Sequence, residues 1–383
     1  MLFRFLACVS ALLLLPSCAE INTRVLANDV FEGRDNASAG SLLAQNYLIS
    51  LMSGEGALGL NTAASGDDAY RQDFAGGTNI LALIPGSDLA DEYVMIGAHY
   101  DHLANCRQLE PGDTVCNGAT DNAAGVAAVL DIGLILGQPG NAPRRSVILA
   151  FWDREEDGLR GSAHYVNNPL VPLADTVAYI NFDILGSNLL PSLREASFAI
   201  GAETGGAALI NALEAAIDTQ PLQTRRFSAI FGQNRSDYAN LIAAGVPTVF
   251  FSDSTGPCYH TTGDDIDVVD FYKLKQQVAI ALELTKQLAS GAVTPAFVAG
   301  SPLATFEDAV TLDALLQLAV TDINRFDPAD QAVIMANASS MASIVAGGSA
   351  GFDASDISAT LGIAVQLVSL LATGTCEGFQ TTY

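Results

Sequence analysis

From Tyr93 to Ala289, short apolar runs alternate with amphipathic stretches, and this alternation predicts strands and helices in turn. Ser146–Trp152 (SVILAFW), Val177–Phe182 (VAYINF) and Thr248–Ser252 (TVFFS) have the length and composition of buried strands. Helical spacing covers Ala123–Leu136 and Asp270–Ala289. The pattern therefore predicts an α/β fold in which helices flank both faces of a mostly parallel or mixed central sheet.

We assign residues 19–290 to one domain. The same criteria predict its other strands and helices. The strands among them are Tyr70–Phe74, Asn79–Pro85 and Tyr93–Ala98, and the helices are Ser38–Met52, Ser162–Asn167, Gly205–Thr219 and Asp237–Ala244.

Residues 291–383 have a different character, because helical patterns follow one another without strands. The patterns cover Thr305–Ile323, Pro328–Val345 and Ala354–Ala372, and Asp327 before Pro328 is typical of a helix start. We find no chemical motif there. The sequence predicts a helical C-terminal extension packed on the preceding domain, with a lid or a partner-docking surface as the alternative.

Residues 1–18 are typical of an export signal, since Arg4 precedes the apolar segment Phe5–Leu15. Two processing sites compete, an ordinary cleavage after Ala19 and a bacterial lipobox ending at Cys18. The lipobox is favoured. The protein is therefore expected to be a periplasmic or outer-membrane lipoprotein, or else secreted, with a lipid on Cys18 as its only membrane contact.

The chain has 383 residues and a net charge of −25, which argues against nucleic acids and anionic membrane surfaces as partners. Composition makes no prediction of the oligomeric state. Apart from the cysteines of the export signal, the chain holds Cys106, Cys116, Cys258 and Cys376. An even number in an exported chain indicates disulfides. Because Cys106 and Cys116 flank one loop, we predict that they pair, which leaves Cys258 for Cys376.

Polar side chains of the types that bind metals follow the predicted strands. They are His99, Glu155, Glu156, Asp183 and His260, and Asp121 stands at the start of the helix after His99. In open α/β sheets, sites form in the crevice outside the carboxyl ends of the strands. Imidazole and carboxylate groups that converge there suit a divalent ion such as zinc. The sequence therefore predicts a metal site at this edge.

Neighbours of these residues have simpler interpretations. Asp101 lies two positions after His99 and is placed to accept the proton of the second imidazole nitrogen, which would orient the ring. His102 is interpreted as a loop residue near the site and His164 as a residue on the helix after Ser162, with contact to a ligand as the alternative for either.

The motifs together resemble the M28 family of zinc-dependent aminopeptidases. The resemblance covers roughly residues 28–290, and it rests on the order and spacing of His99-x-Asp101, Gly118-Ala119-x-Asp121, Glu155-Glu156-x-Gly158, Asn181-x-Asp183 and Tyr259-His260-Thr261. Ser236-Asp237-Tyr238 departs from the Ser-Asp-His of many members, and residues 291–383 lie outside the resemblance.

The resemblance implies the zinc-exopeptidase fold, two zinc ions and a role for each motif residue. Asp121 would bridge the ions, His99 and Asp183 would complete the ligands of one, and Glu156 and His260 those of the other. Glu155 would be the general base and acid, Asp101 would orient His99, and Tyr259 would stabilise the oxyanion.

The implied function is a di-zinc aminopeptidase that cleaves N-terminal bonds of peptides or small proteins with a metal-bound hydroxide. The first alternative is a metallo-carboxypeptidase, in which Arg225, Arg226 and Arg235 would receive the free carboxylate of the substrate. A one-zinc glutaminyl-cyclase-like enzyme is less favoured, because His99 and Asp183 are both present. The remaining alternative is a non-catalytic binding module.

Overall fold

A mixed sheet forms the centre of the computed structural model, which describes residues 17–138, 140–300, 303–372 and 374–378. The predicted export signal lies outside these residues except for Ser17 and Cys18. Helices cover both faces of the sheet, so the predicted fold class is confirmed.

The sheet of the described residues has nine strands in the order β1-β3-β5-β4-β6-β9-β7-β8, and β2 pairs with β3. The strands are β1 (Leu58–Gly59), β2 (Arg71–Phe74), β3 (Gly77–Ile84), β4 (Leu89–His99), β5 (Arg145–Trp152), β6 (Thr176–Phe182), β7 (Ala196–Ile200), β8 (Gln223–Phe227) and β9 (Thr248–Ser252). The four central strands β5, β4, β6 and β9 run parallel to one another. Their carboxyl ends therefore meet at one edge.

Ten α-helices lie in the described residues. They are α1 (Cys18–Leu26), α2 (Ala39–Gly54), α3 (Ala124–Gly137), α4 (Arg160–Asn167), α5 (Gly206–Ile217), α6 (Tyr238–Ala243), α7 (Phe271–Ala289), α8 (Phe306–Ala319), α9 (Pro328–Gly347) and α10 (Ala354–Ala372). The cap predicted at Asp327 is present, because its carboxylate accepts the N–H groups of Ala329 and Asp330.

The central strands are buried on both faces, which explains their continuous apolar runs. In β5, Val147, Leu149 and Phe151 face one core, whereas Ile148 and Trp152 face the other. The first core is closed by α1, α2, α3, α5 and α7, and the second by α4, α6 and the C-terminal helices.

Four elements were not predicted from the sequence: α1, β1, β7 and β8. The strand β7 is five residues long and contains two alanines and a serine, which weakens its β signal. The strand β8 carries Arg225 and Arg226 at the edge of the sheet, where charged side chains reach solvent. The helix α1 begins where the export signal was expected to end.

Both predicted disulfides are present. Cys106 pairs with Cys116 across the loop after β4, and Cys258 pairs with Cys376 over a Cα–Cα distance of 4.6 Å. The second bond joins the segment after α10 to the loop that carries His260.

The C-terminal helices pack directly on the domain that carries the sheet. The Asp308 carboxylate of α8 accepts the backbone N–H of Ser228 at 2.8 Å and the Ser228 hydroxyl at 2.6 Å. By length and composition alone, residues 119–137 and α10 could each cross a membrane. The former are 83% buried within the fold, whereas the corresponding stretch of α10 is 11% buried.

Candidate metal centre

The parallel strands bring the five predicted ligands into one cluster at the carboxyl edge of the sheet. His99 is the last residue of β4, Asp183 follows β6, Glu156 lies in the loop after β5, and His260 lies in the loop after β9. Asp121 lies between them, in a kinked turn (Ala119–Ala123) that leads into α3.

Asp121 faces a different histidine with each of its carboxylate oxygens. Its Oδ1 lies 3.3 Å from His99 Nε2, which is also 3.4 Å from Asp183 Oδ1. Its Oδ2 lies 3.4 Å from His260 Nε2, which is also 3.0 Å from Glu156 Oε2. The carboxylate therefore divides the cluster into two halves.

The donor atoms are arranged to bind a metal ion rather than to form hydrogen bonds with one another. Among the described residues, Nε2 of His99 and Nε2 of His260 lack a partner in hydrogen-bond geometry. A buried polar atom without a hydrogen bond costs free energy, so two such atoms aimed at carboxylates require an explanation. His99, Asp121 and Asp183 offer three donor atoms within 4.8 Å of one another, which is a set that a divalent cation can occupy.

Asp101 connects two of the motifs, although in a different way from the one expected. The carbonyl oxygen of Asp101 is the nearest acceptor for His99 Nδ1, at 3.0 Å, whereas the carboxylate lies 3.7 Å away. The carboxylate instead accepts the backbone N–H groups of Glu155 and Glu156, at 3.1 and 3.3 Å. Asp101 therefore fixes both the ring of His99 and the loop after β5.

Asp264 holds the backbone of Asp121 in place, and sequence reasoning missed it. The carboxylate is fully buried and accepts the N–H groups of Thr120 and Asp121 at 2.9 and 3.0 Å, and the Thr120 hydroxyl at 2.7 Å. A carboxylate four residues after a candidate histidine ligand was the only signal in the sequence. Gly118 is needed beside it, because an added Cβ would lie 2.3 Å from the Asp121 carbonyl oxygen.

Arg34 is fully buried beneath the loops of the site. Its guanidinium donates to four backbone carbonyls, those of Leu26, Tyr100, Asn117 and Gly118, at 2.7 to 3.0 Å. Burial lowers the pKa of Arg34 to about 10, although Asp121 and Asp264 oppose the shift. The arginine stays charged at neutral pH, so it also offsets part of the negative charge above it.

His102 belongs to the site, although its sequence context suggested only a loop residue. It is buried, and its Nδ1 lies 2.8 Å from Glu156 Oε1, which leaves Oε2 of that glutamate toward His260. The position three residues after His99 was the only signal. His164, by contrast, stacks on Phe74 away from the cluster, as a residue of α4.

Opposite charges and burial set the protonation of the cluster. Burial works against ionised Asp121, but His260 and His99 outweigh it and hold the pKa of Asp121 well below its ordinary value. Burial would lower the pKa of His260, but Asp121 and Glu156 raise it to about 10. Positive charge near the carboxylates therefore stabilises them. Divalent ions provide this charge while the histidine and carboxylate ligands stay deprotonated.

Glu155 lies beside the ligands but has a different environment. It lines a cleft with about 540 Å³ of empty space, together with Asp121, Asp183, Tyr259 and Arg235. Burial raises the pKa of Glu155 well above its ordinary value. Its carboxyl group therefore holds a proton more readily than an exposed glutamate does.

Tyr259 forms one wall of this cleft. Its ring stacks on His260 at 3.7 Å and lies 5.6 Å from the guanidinium carbon of Arg235. Burial raises the pKa of Tyr259, so its hydroxyl stays a hydrogen-bond donor.

Residues 236–238 are the segment in which Tyr238 replaces the histidine of the family's Ser-Asp-His. They form hydrogen bonds close to the candidate ligands. Ser236 accepts a hydrogen bond from Asn181 at 2.8 Å, and buried Asp237 accepts one from the Ser162 hydroxyl. Tyr238 OH accepts the N–H of Asn234 at 2.8 Å, so the tyrosine supports the loop that carries Arg235.

Comparison with known proteins identifies relatives of the region that carries this site. The profile described as peptidase family M28 matches residues 79–289. The chain is 33% identical over 159 residues to an aminopeptidase of Pseudomonas aeruginosa, which covers 40% of this chain and 27% of that protein. It is 28% identical over 205 residues to a probable glutamate carboxypeptidase of Arabidopsis thaliana, 49% of this chain and 26% of that one. Each match therefore spans about a quarter of the length of the relative.

A solved structure extends the comparison to the fold. A Zn-dependent exopeptidase from Parabacteroides distasonis superposes with a TM-score of 0.55 at 18% identity, over 71% of this chain and 99% of that one. The likeness confirms the fold of the sheet and its flanking helices.

Asp264→Asn tests the contribution of the acceptor that holds Asp121. The amide cannot accept from both Thr120 and Asp121, so zinc affinity should fall by about 10- to 100-fold. Competition with a chromogenic chelator measures this affinity, and Asp265→Asn is the matched control because Asp265 caps only the neighbouring N–H of Ile266. Equal affinities of the Asp264→Asn variant and the wild type would contradict the assignment.

Proposed function

The chain belongs to peptidase family M28, and on this basis we propose that it is a di-zinc aminopeptidase that hydrolyses the N-terminal bond of peptides. The observation that supports the proposal most is the position of Asp121, whose two oxygens face two separate histidine–carboxylate pairs. A single carboxylate in that position is suited to bridge two ions.

We assign one zinc ion to His99, Asp183 and Asp121, and a second to Glu156, His260 and Asp121. Zinc supplies a Lewis acid and brings the pKa of a bound water down to about 7. Asp101 holds the ring of His99 through its carbonyl group, and His102 fixes the free oxygen of Glu156. Both therefore act as positioning residues.

Glu155 is the proposed general base and acid. Its burial beside Asp183 raises its pKa, so the carboxylate can take a proton from the attacking water and later give it to the leaving amine. Because Asp101 binds the N–H groups of both Glu155 and Glu156, the base keeps a fixed position next to a ligand.

Two features of the cleft suit a substrate with a free amino group. Glu155 lines it and is not assigned to an ion, so its carboxylate can attract an α-ammonium group. The Tyr259 hydroxyl, kept protonated by burial, is available to donate to the oxyanion of the carbonyl under attack.

The carboxypeptidase alternative requires cations for the free carboxylate of the substrate, and the structure supplies few of them. Arg226 pairs with Glu214 at 2.8 Å, and Arg225 donates to Gln223 at 3.1 Å, both on the edge strand β8. Of the three arginines considered, Arg235 alone lines the cleft. The scarcity of cationic side chains in the cleft therefore favours the aminopeptidase.

We also propose that the protein is exported. Two disulfides support export, since such bonds persist in oxidising compartments.

A substrate panel assayed with and without 1,10-phenanthroline tests the function. We expect chelator-sensitive release from alanyl and leucyl 4-nitroanilides and from peptides with a blocked C-terminus, and no cleavage when the amine is acetylated. Removal of the C-terminal residue from acetylated peptides would favour the carboxypeptidase. If no substrate is cleaved, the non-catalytic binding module is favoured.

Glu155→Gln tests the proton-transfer role. The amide cannot accept a proton, so kcat should fall by about 10²- to 10⁴-fold while zinc content is unchanged. Elemental analysis and leucyl anilide kinetics measure the two quantities. Asp157→Asn is the matched control, because Asp157 lies in the same loop but pairs only with Arg154 at the surface. A near-normal rate for Glu155→Gln would refute the assignment.

A further inference from the structure

A chain of buried hydrogen bonds crosses the second core and ends beside Asp183. The indole Nε1–H of Trp152 donates to the hydroxyl of Tyr179 at 2.8 Å, and that hydroxyl donates to Oδ1 of Asn181 at 2.6 Å. The amide nitrogen of Asn181 then donates to the hydroxyl of Ser236 at 2.8 Å. Each of these four side chains is at most 1% exposed, so water does not compete for the bonds.

Ser236 connects this chain to the metal centre. Burial raises the pKa of Asp183, and a hydrogen bond from the Ser236 hydroxyl is among the contacts that oppose the rise. Because the Ser236 oxygen accepts the amide of Asn181, its own hydrogen is available to the carboxylate. Oδ1 of Asp183 also lies 3.4 Å from His99 Nε2, so Ser236 gives the carboxylate a second fixed contact.

The direction of every bond in the chain follows from Trp152. An indole nitrogen donates and cannot accept, so the Tyr179 oxygen accepts there and its own hydrogen turns toward Asn181. Burial raises the pKa of Tyr179, so the hydroxyl keeps that hydrogen. The Asn181 oxygen accepts it, which orients the NH₂ group of the amide toward Ser236. The indole at one end therefore presents a donor to the carboxylate at the other.

A glycine in the intervening strand makes room for the first of these bonds. Trp152 lies on β5 and Tyr179 on β6, and β4 runs between them. A Cβ on Gly97 of β4 would lie 2.9 Å from the Tyr179 hydroxyl and 3.1 Å from Nε1 of Trp152. Gly97 is two residues before His99, so the bond crosses β4 close to the end that carries this ligand. The sheet therefore accommodates the bond at a position where a larger residue would disturb it.

We propose that the four side chains from Trp152 to Ser236 form a relay that holds the Asp183 carboxylate in the orientation that its zinc ion requires. The inference rests on the zinc site of the proposed function and adds positioning residues that are not assigned to an ion. Hydrogen bonds in such a chain polarise one another, so a change at one end is transmitted to the other. Zinc bound to Asp183 withdraws charge from the carboxylate and should weaken the bonds back to Trp152.

Two variants break the relay at different links. Ser236→Ala should lower the affinity for one of the two zinc ions by about 10- to 100-fold, as the loss of a ligand's hydrogen-bond partner does. Ser236→Thr retains the hydroxyl and should stay close to the wild-type affinity. Tyr179→Phe should lower the affinity by about 3- to 30-fold in the wild type but no further in the Ser236→Ala variant, because members of one network are not additive.

Competition with a chromogenic chelator measures these affinities. Losses that simply add in the double variant would contradict the relay, and so would a Ser236→Ala variant that binds zinc as the wild type does. Circular dichroism melting separates stability from affinity. A purely structural role of Tyr179 would lower the melting temperature of Tyr179→Phe and leave its zinc affinity unchanged, and Ser236→Ala decides the question if Tyr179→Phe does not fold.

Tyr165→Phe is the matched control. Tyr165 is fully buried, its ring lies 5.4 Å from that of Trp152, and its hydroxyl has no hydrogen-bond partner among the described residues. The substitution removes a buried hydroxyl from the same core and leaves the relay intact. Zinc affinity should therefore be unchanged.

Trp152 is the only tryptophan of the chain, so its fluorescence reports on the relay directly. Adding zinc to the metal-free wild type should shift the emission, because the bond from the indole N–H changes in strength. The shift should be absent from Ser236→Ala and Tyr179→Phe and retained in Tyr165→Phe. A wild type whose emission does not respond to zinc, or a Ser236→Ala variant that responds as the wild type does, would overturn the proposal.

Affinity and fluorescence require no turnover, which separates this inference from the proposed function. If the variants change zinc affinity and emission as expected but the wild type cleaves no anilide, the relay is supported and the aminopeptidase is not. If anilides are cleaved and neither affinity nor emission depends on Ser236, the relay is wrong and the aminopeptidase stands.

Discussion

The structure depends on one electrostatic constraint, the concentration of buried carboxylates at the carboxyl edge of the sheet. Asp121, Glu156 and Asp183 lie close together, and an uncompensated buried charge costs several kcal/mol. The fold meets this requirement with imidazoles between the carboxylates and with the guanidinium of Arg34 below them. The remaining negative charge is what suits the cluster to divalent cations.

The backbone around the cluster is arranged to satisfy the same constraint. Asp101 and Asp264 accept backbone N–H groups rather than pairing with cations, so each carboxylate fixes a loop that carries a ligand or the base. Arg154, Ile184 and His260 adopt left-handed φ values of 56° to 60°, which non-glycine residues rarely adopt. Backbone conformations of this kind accumulate at functional sites, where the surrounding contacts hold them.

Much of the fold and of the cluster could be predicted because strand ends carry a local signal. The long apolar runs that end at His99 and before Asp183 predicted both the central strands and the edge where the side chains meet. His102 and Asp264 could not be assigned in this way, because their roles depend on contacts with Glu156 and Thr120, which are 54 and 144 residues away. The relay that ends at Asp183 was equally hidden, since a strand pattern does not specify which polar side chains bond to each other across a neighbouring strand.

The central proposal is that Asp121 is shared by two zinc ions, and anomalous scattering at the zinc edge tests it most directly. Crystals of the wild-type protein grown with zinc should show two strong peaks. One should lie within ligand distance of His99 and Asp183, the other within ligand distance of Glu156 and His260, and both should contact Asp121. A single peak, or two peaks that do not share Asp121, would contradict the account.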